Sequence, residues 1–132
     1  MLALDFLHND LKLTHRDLKP SNILIFPGNR IKIADFGLAK EVNHSQASIS
    51  SGYTPLFAAP EVVRLSIFAP IPFKNDVYSL GLSLCYLMIH EVPYFKEIQD
   101  HDITFPTCYS LEIINFVYKL MIENPNERPS IK

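Results

Sequence analysis

His15-Arg16-Asp17-Leu18-Lys19-Pro20-Ser21-Asn22 is the stretch on which the reading of this chain turns. It puts an acid, a base and a carboxamide on one short connector. A helical pattern, Leu2 to Asn9, precedes it, and an apolar strand-like run, Ile23 to Phe26, follows. Asp35-Phe36-Gly37 comes next, at the end of a second strand-like run. Two carboxylates and one amide beside a strand hairpin suit a magnesium-nucleotide site. Mg²⁺ takes few protein ligands, mostly carboxylates, and fills its octahedron with phosphate and water.

Outward from this stretch the elements follow in order. Leu4, Leu7 and Leu11 recur at helical spacing with Phe6 on the adjoining edge, so residues 1–9 read as the last turns of an amphipathic helix. It has no N-cap, and Met1 falls inside the element, so the chain is expected to start in mid-domain, as a truncated reading of a longer protein. Ile23-Leu24-Ile25-Phe26 and Ile31-Lys32-Ile33-Ala34 flank the turn cluster Pro27-Gly28-Asn29-Arg30, which predicts a hairpin with a four-residue loop. Its two ends place Asn22 beside Asp35. Glu41 to Ser51 is polar and serine-rich and reads as a mobile surface loop. Pro60 to Arg64 starts a short helix, and Ala69 to Phe73 an extended spacer. Asn75 or Asp76 then caps a helix from Val77 to about His90. Val77, Leu80, Leu82, Leu84, Leu87 and Met88 lie all round it, the pattern of a buried core post. Residues 94–109 fit neither period. Ser110 caps a last amphipathic helix through Ile113, Ile114, Val117, Leu120 and Met121, ended by Asn124-Pro125.

At 132 residues the chain is one domain or part of one, and 48% hydrophobic content can fill a core. A net charge of −2 gives no basic footprint for nucleic acid. Val77 to Ile89, the longest apolar stretch, is shorter than the roughly 20 residues that span a bilayer, so no membrane partner is expected. The N-terminus lacks the basic start and unbroken apolar run of a secretory signal. Cys85 and Cys108 have no metal-like spacing, which fits a reduced, cytoplasmic setting. His8, His44, His90 and His101 also lack ligand spacing and read as surface or capping residues.

The connector resembles the protein kinase catalytic-loop signature H-R-D-L-x-x-x-N, and Asp35-Phe36-Gly37 resembles its D-F-G. Ala59-Pro60-Glu61 is similar to the family's A-P-E. Asp76-Val77-Tyr78-Ser79-Leu80-Gly81 is similar to its D-V-x-S-x-G helix start, and Asn124-Pro125 with Arg128-Pro129 to its closing segment. These motifs stand in the family's order and cover essentially the whole chain, but only the family's C-terminal lobe. The resemblance implies an α+β, mainly α, kinase-like C-lobe: a buried central helix, surrounding helices and a small β-hairpin at the catalytic cleft. Residues 1–132 would be a partial kinase domain, from the helix before the catalytic loop to the closing segment, without the N-terminal lobe.

The resemblance also implies an activity, transfer of the γ-phosphate of Mg-ATP to a protein serine or threonine hydroxyl. Asp17 is the implied catalytic base, accepting the substrate hydroxyl's hydrogen bond; a lone loop aspartate would otherwise read as a turn former. Lys19 would steady the transferring phosphoryl group and contact ATP, a lysine there being typical of the serine/threonine type. Asn22 and Asp35 are the implied Mg²⁺ ligands and part of the ATP site, and Leu24 would lie under the adenine ring. Arg16 would bind a phosphate on the activation loop through its bidentate fork, with Ser48, Ser50 and Ser51 as candidate sites for an upstream kinase. Thr54 aligns with a threonine that touches the catalytic loop, although Tyr53 stands where glycine is usual. Glu61 and Arg128 would form a buried ion pair, Asp76 would anchor the His15-Arg16 backbone, and His15 would pack with Phe36, followed by Gly37.

The sequence contains no G-x-G-x-x-G-x-V and no V-A-I-K lysine, so little or no activity is expected of the 132 residues in isolation. Ser83 stands where the family has an apolar residue, and its hydroxyl is expected to bond back to the carbonyl of Ser79. Pro93 to Pro106 is short for a substrate-docking helix. The alternative to an enzyme fragment is a non-catalytic, pseudokinase-like scaffold or partner-binding C-lobe.

Overall fold

A single helix, Pro72–Ile89, runs through the middle of the molecule and carries core on both sides. The computed structural model describes residues 2–42, 53–65 and 72–131. In chain order these form α1 (Leu2–Asp5), whose last turn widens into a π-helix (Phe6–Asp10), and β1 (Leu13–Thr14). A 3₁₀ turn (Pro20–Asn22), β2 (Ile23–Phe26), β3 (Arg30–Ile33) and β4 (Lys40–Glu41) follow. A second 3₁₀ turn (Pro55–Phe57) leads into α2 (Pro60–Leu65), α3 (Pro72–Ile89), α4 (Phe95–Asp100) and α5 (Leu111–Leu120). Helices and two small antiparallel sheets make this an α+β fold.

α3 begins earlier than the sequence suggests. Pro72 opens it, a residue the first turn tolerates because its missing N–H has no intrahelical partner there. Pro72 and Phe73 are therefore helical rather than part of a spacer, and residues 69–71 of that expected spacer lie outside the described residues. Asp76 sits inside the helix and is not a cap. Val77, Tyr78, Leu82, Cys85 and Met88 are buried, whereas Leu87 is 46% exposed, so the post reaches the surface near its end. Ser83 is fully buried, and its hydroxyl donates to the Ser79 carbonyl at 2.7 Å, as expected.

One core cluster joins α3 to α2, α4 and α5 through Val62, Leu82, Cys85, Ile98, Val117 and Met121. The other joins it to the N-terminal helix and the connector through Leu4, Leu7, Leu18, Val77 and Leu120. α3 and α5 come together at Gly81. A Cβ there would lie 2.7 Å from Leu120 Cβ and 2.8 Å from Met121 Cγ. Ser110 caps α5 by accepting from Ile113 N–H at 3.4 Å. The helix ends at Leu120, before Asn124-Pro125. α4 resolves the ambiguous region: Glu97 accepts from Tyr94 N–H at 2.7 Å, and His101 closes the helix at φ 55°.

The hairpin pairs Ile23 with Ile33 and Phe26 with Arg30. Its loop is Pro27-Gly28-Asn29, one residue shorter than expected, because Gly28 and Asn29 take φ of 77° and 57° and turn the chain sooner. The β1–β4 pair, Leu13 with Glu41 and Thr14 with Lys40, carries no sequence signal, each strand having two residues. In the N-terminal helix the bond from Leu11 N–H to Phe6 O, 3.1 Å, marks the π turn. The extra residue in that turn rotates Leu11 off the face that buries Leu4 and Leu7. Most of the expected surface loop, with Ser48, Ser50 and Ser51, lies outside the described residues. Among the described residues no helix is long and apolar enough to cross a membrane.

Candidate active site

The connector between β1 and β2 is held from below by α3. Asp76, fully buried, accepts four hydrogen bonds. Its Oδ2 takes His15 N–H at 2.7 Å, Thr14 Oγ1–H at 3.0 Å and His8 Nε2–H at 2.8 Å. Its Oδ1 takes Arg16 N–H at 2.8 Å. Arg16 adopts φ 71°, a conformation costly for a residue with a Cβ, and this turn lets two consecutive amides face one carboxylate. His8 is thus buried and bonded. It is neither a surface nor a capping residue, contrary to the expectation from sequence.

Asp17 follows directly and is buried. Thr54 Oγ1–H donates to its Oδ1 at 2.5 Å, and Lys19 Nζ lies 2.7 Å from its Oδ2. Lys19 also donates to Thr54 Oγ1 at 2.9 Å, which closes a triangle of acid, base and hydroxyl. Asn22 Nδ2 donates to the Asp17 carbonyl at 2.9 Å and to Asp17 Oδ2 at 3.3 Å. Burial alone would push the Asp17 carboxyl up. The hydrogen bonds from Lys19 and Thr54, the Lys19 charge and the Asn22 bond outweigh it and hold the group below its ordinary value. Asp17 is therefore an anion at neutral pH and carries fixed donors.

His15, fully buried, links this loop to the hairpin. Asp17 N–H donates to its Nδ1 at 3.3 Å, so the ring proton belongs on Nε2, which donates to the Ala34 carbonyl at 3.0 Å. Phe36 meets the His15 ring edge-on with centroids 5.0 Å apart. Ala34 N–H donates to the Asn22 carbonyl at 2.9 Å, so the hairpin brings Asn22 and Asp35 to adjacent chain ends. Asp35 is exposed, has φ 63°, and accepts from Gly37 N–H at 3.2 Å. The donor set fits Mg²⁺: one carboxylate, and one amide whose NH₂ is engaged inside the loop, leaving Oδ1 as its cation-facing atom type. Leu24 stands 41% exposed on β2.

Away from this cluster, Glu61 and Arg128 form a two-pronged ion pair at 2.6 and 2.8 Å. The Arg16 side chain lines a cavity of about 30 Å³ together with Tyr53, Asn75 and Ser79. The Asn75 Oδ1 atom is buried without a hydrogen-bond partner among the described residues. Sequence reasoning missed His8 and Thr14 as members of the loop's support. His8 did carry a signal: it lies four residues after Leu4, on the same apolar helix face.

The family model for the protein kinase domain matches residues 1–132. The chain is 37% identical over 140 residues to serine/threonine-protein kinase Nek6 of Oryza sativa subsp. japonica, covering 98% of this chain and 25% of that one. It is 35% identical over 142 residues to serine/threonine-protein kinase 10 of Xenopus tropicalis, covering 97% of this chain and 15% of that one. It is 31% identical over 140 residues to CBL-interacting serine/threonine-protein kinase 7 of Arabidopsis thaliana, covering 98% and 32%. The chain thus spans a third or less of the length of these relatives.

Proposed function

Because this chain belongs to the eukaryotic protein kinase family, we propose that it supplies the catalytic-loop half of a serine/threonine protein kinase. Residues 1–132 correspond in this reading to the C-terminal lobe of the domain, and the activity belongs to the complete domain. The observation that carries the proposal is the closed cluster of Asp17, Lys19, Thr54 and Asn22. Nothing in the fold requires so many charged and polar groups to converge on one half-buried loop, whereas phosphoryl transfer to a hydroxyl does.

In this mechanism Asp17 accepts the hydrogen bond of the incoming serine or threonine hydroxyl and receives its proton. Its lowered proton affinity keeps it ready as an acceptor, and Thr54 fixes the plane of its carboxylate. Lys19, already against Asp17 and Thr54, offers its remaining N–H to a phosphoryl oxygen. Asn22 and Asp35 would hold Mg²⁺, which when bound neutralises phosphate charge. Leu24 gives the adenine ring an apolar floor. Arg16 would receive a regulatory phosphate placed by an upstream kinase on the segment that holds Ser48, Ser50 and Ser51. The substrates are ATP and a protein, and the free thiols of Cys85 and Cys108 suit a cytoplasmic setting.

The test is a phosphotransfer assay on the native protein that carries this sequence, purified through an epitope within it, with Mg-ATP and serine- or threonine-containing peptides. Asp17→Asn should lower kcat by at least about 100-fold, and Asp35→Asn should abolish turnover. Undiminished transfer by either variant would sink the assignment. A second reading, a partner-binding scaffold, draws on the apolar groove of about 630 Å³ beside the hairpin, where Phe6, Ile31 and Phe36 are exposed. Absence of transfer and of Mg-ATP binding in the native protein would favour it.

A further inference from the structure

We propose that Tyr53 is a positioning residue of the Asp17 site: its ring, packed against the core beside α3, seats the Thr54 hydroxyl on Asp17 without help from a phosphate. The proposal rests on the reading of Asp17 as the group that works at the reacting hydroxyl. It starts from the sequence Tyr53-Thr54-Pro55. A proline restricts its predecessor to extended backbone, and Thr54 accordingly has φ −84° and ψ 109°. Tyr53 and Thr54 then meet different neighbours. The Thr54 hydroxyl donates to Asp17 Oδ1 at 2.5 Å. Tyr53, half-buried, packs against the core cluster that contains Val62, Tyr78 and Leu82. Glycine, usual at this place by the resemblance, has no side chain with which to do so.

Thr54 does not seat itself. Its side chain is small, and a gap of about 10 Å³ remains between it, Asp17, Phe57 and Ser79. Its position is set by what holds the chain on either side. On the C-terminal side Phe57 is buried and meets Tyr86 edge-on, with centroids 6.0 Å apart. The Phe57 carbonyl accepts from Ser79 Oγ–H at 2.8 Å, and its N–H donates to the Thr54 carbonyl at 3.0 Å. On the N-terminal side the anchor is Tyr53, which with Arg16, Asn75 and Ser79 encloses a cavity of about 30 Å³. That space holds a water or two and no side chain, so Tyr53 already fills most of the room between this segment and α3. A tyrosine brings a large apolar surface with only two χ angles, and so fixes backbone at low entropic cost. Apolar contact needs no charge, so this anchor acts whether or not Arg16 holds a phosphate. Tyr53 therefore works through Thr54 and touches no substrate.

The test compares Tyr53→Ala and Tyr53→Phe with the native protein that carries this sequence, each treated with phosphatase first. Two NMR readouts follow the seat. Three-bond couplings to the Thr54 methyl report its χ1 rotamer, and amide hydrogen exchange at Phe57 reports the turn, with Leu82 in mid-α3 as the reference for global opening. The native protein and Tyr53→Phe should hold Thr54 in one rotamer. Tyr53→Ala should average it over more than one and speed Phe57 exchange by about tenfold relative to Leu82. Met88→Ala, a truncation in the same core cluster at the far end of α3, should leave Thr54 in one rotamer. Averaging in Met88→Ala as well would show a general packing role and overturn the proposal. So would a Tyr53→Ala protein with Thr54 still fixed, or a Tyr53→Phe protein that behaves like Tyr53→Ala. Should Tyr53→Ala fail to fold, the dephosphorylated native protein decides. Nuclear Overhauser contacts from the Tyr53 ring to the Val62 methyls and a single Thr54 rotamer are expected, and the loss of either overturns the proposal. None of these readouts uses ATP or turnover, so failure of the phosphotransfer assay and failure here are distinguishable.

Discussion

Removing the carboxylate of Glu61 should cost a large share of the stability of this fold. The guanidinium of Arg128 has five N–H donors, and each is engaged. Nε donates to the Ile122 carbonyl at 2.6 Å. Nη1 donates to Glu61 Oε1 at 2.6 Å and to the Lys74 carbonyl at 3.0 Å. Nη2 donates to Glu61 Oε2 at 2.8 Å and to the Glu123 carbonyl at 2.7 Å. The Arg128 side chain is 0% exposed and that of Glu61 10%, so solvent cannot replace a lost partner. Glu61→Ala strands a buried charge with two donors unpaired, a loss of about 3–5 kcal/mol. Two orphaned donors at about 1–3 kcal/mol each reach the same range. At a urea m-value of about 1.5–2 kcal/mol/M the midpoint should fall by about 2 M, followed by circular dichroism at 222 nm. Arg128→Lys should cost at least about 2 kcal/mol, because one ammonium cannot span both carboxylate oxygens. Pairing Glu61→Leu with Arg128→Met should recover only part of the loss, since the carbonyls of Lys74, Ile122 and Glu123 lose their donor. A Glu61→Ala cost under about 1 kcal/mol, the value of an exposed pair, would refute the reasoning.

Gly81→Ala should destabilise although alanine is the better helix former. Overpacking against Leu120 and Met121 costs about 1–3 kcal/mol and outweighs a propensity gain of about 1 kcal/mol or less, so the thermal midpoint should fall by a few degrees; a rise would contradict the α3–α5 contact. Stability should also fall in alkali. Burial pushes the Cys85 thiol from 9.0 up to about 12 and the Tyr78 phenol from 10.0 up to about 12. Each group's contribution is therefore fully present below its unfolded value and is lost as pH rises through its folded one. Cys85→Ala should flatten the decline between pH 9 and 12, and Tyr78→Phe that between pH 10 and 12; unfolding curves with the same slope as the native chain would refute the linkage.

The elements with strong period or cap chemistry were legible in the sequence: the hairpin, α2, the core helix and the Ser110 cap. The errors fall where a side chain's apparent local role was taken by a distant partner. Asp76 has the type and place of an N-cap, but only its other expected role holds: its carboxylate anchors the backbone of His15 and Arg16, some sixty residues earlier, as the family resemblance implies, and α3 starts ahead of it at Pro72. His8 was misread for the same reason, since its partner lies 68 residues away. The β1–β4 pair could not be read at all, because two-residue strands have no periodicity and are fixed by the loop geometry on either side. The grouping of Asp17, Lys19 and Asn22 follows from their closeness in the chain. The arrival of Thr54 from 37 residues beyond Asp17 depends on tertiary packing.

That packing traces to one face of α3. Asp76 and Ser79 are three residues apart and so share a face. Asp76 holds the amides of His15 and Arg16, while Ser79 Oγ–H donates to the Phe57 carbonyl at 2.8 Å. Phe57 N–H in turn donates to the Thr54 carbonyl at 3.0 Å, within the short turn that ends the segment bearing Thr54. The two segments that meet at the Asp17 carboxylate are therefore tied to the same rigid helix, one turn apart. Their separation is set by the rise of α3 and does not depend on the loops themselves. A serine and an aspartate, both unfavourable in a helix interior by propensity, are retained there because each satisfies backbone groups that would otherwise be buried unpaired. The apolar remainder of α3 fixes where that polar face stands. In this way the core packing of a largely hydrophobic helix reaches the geometry of the acid, the lysine and the hydroxyl at the site.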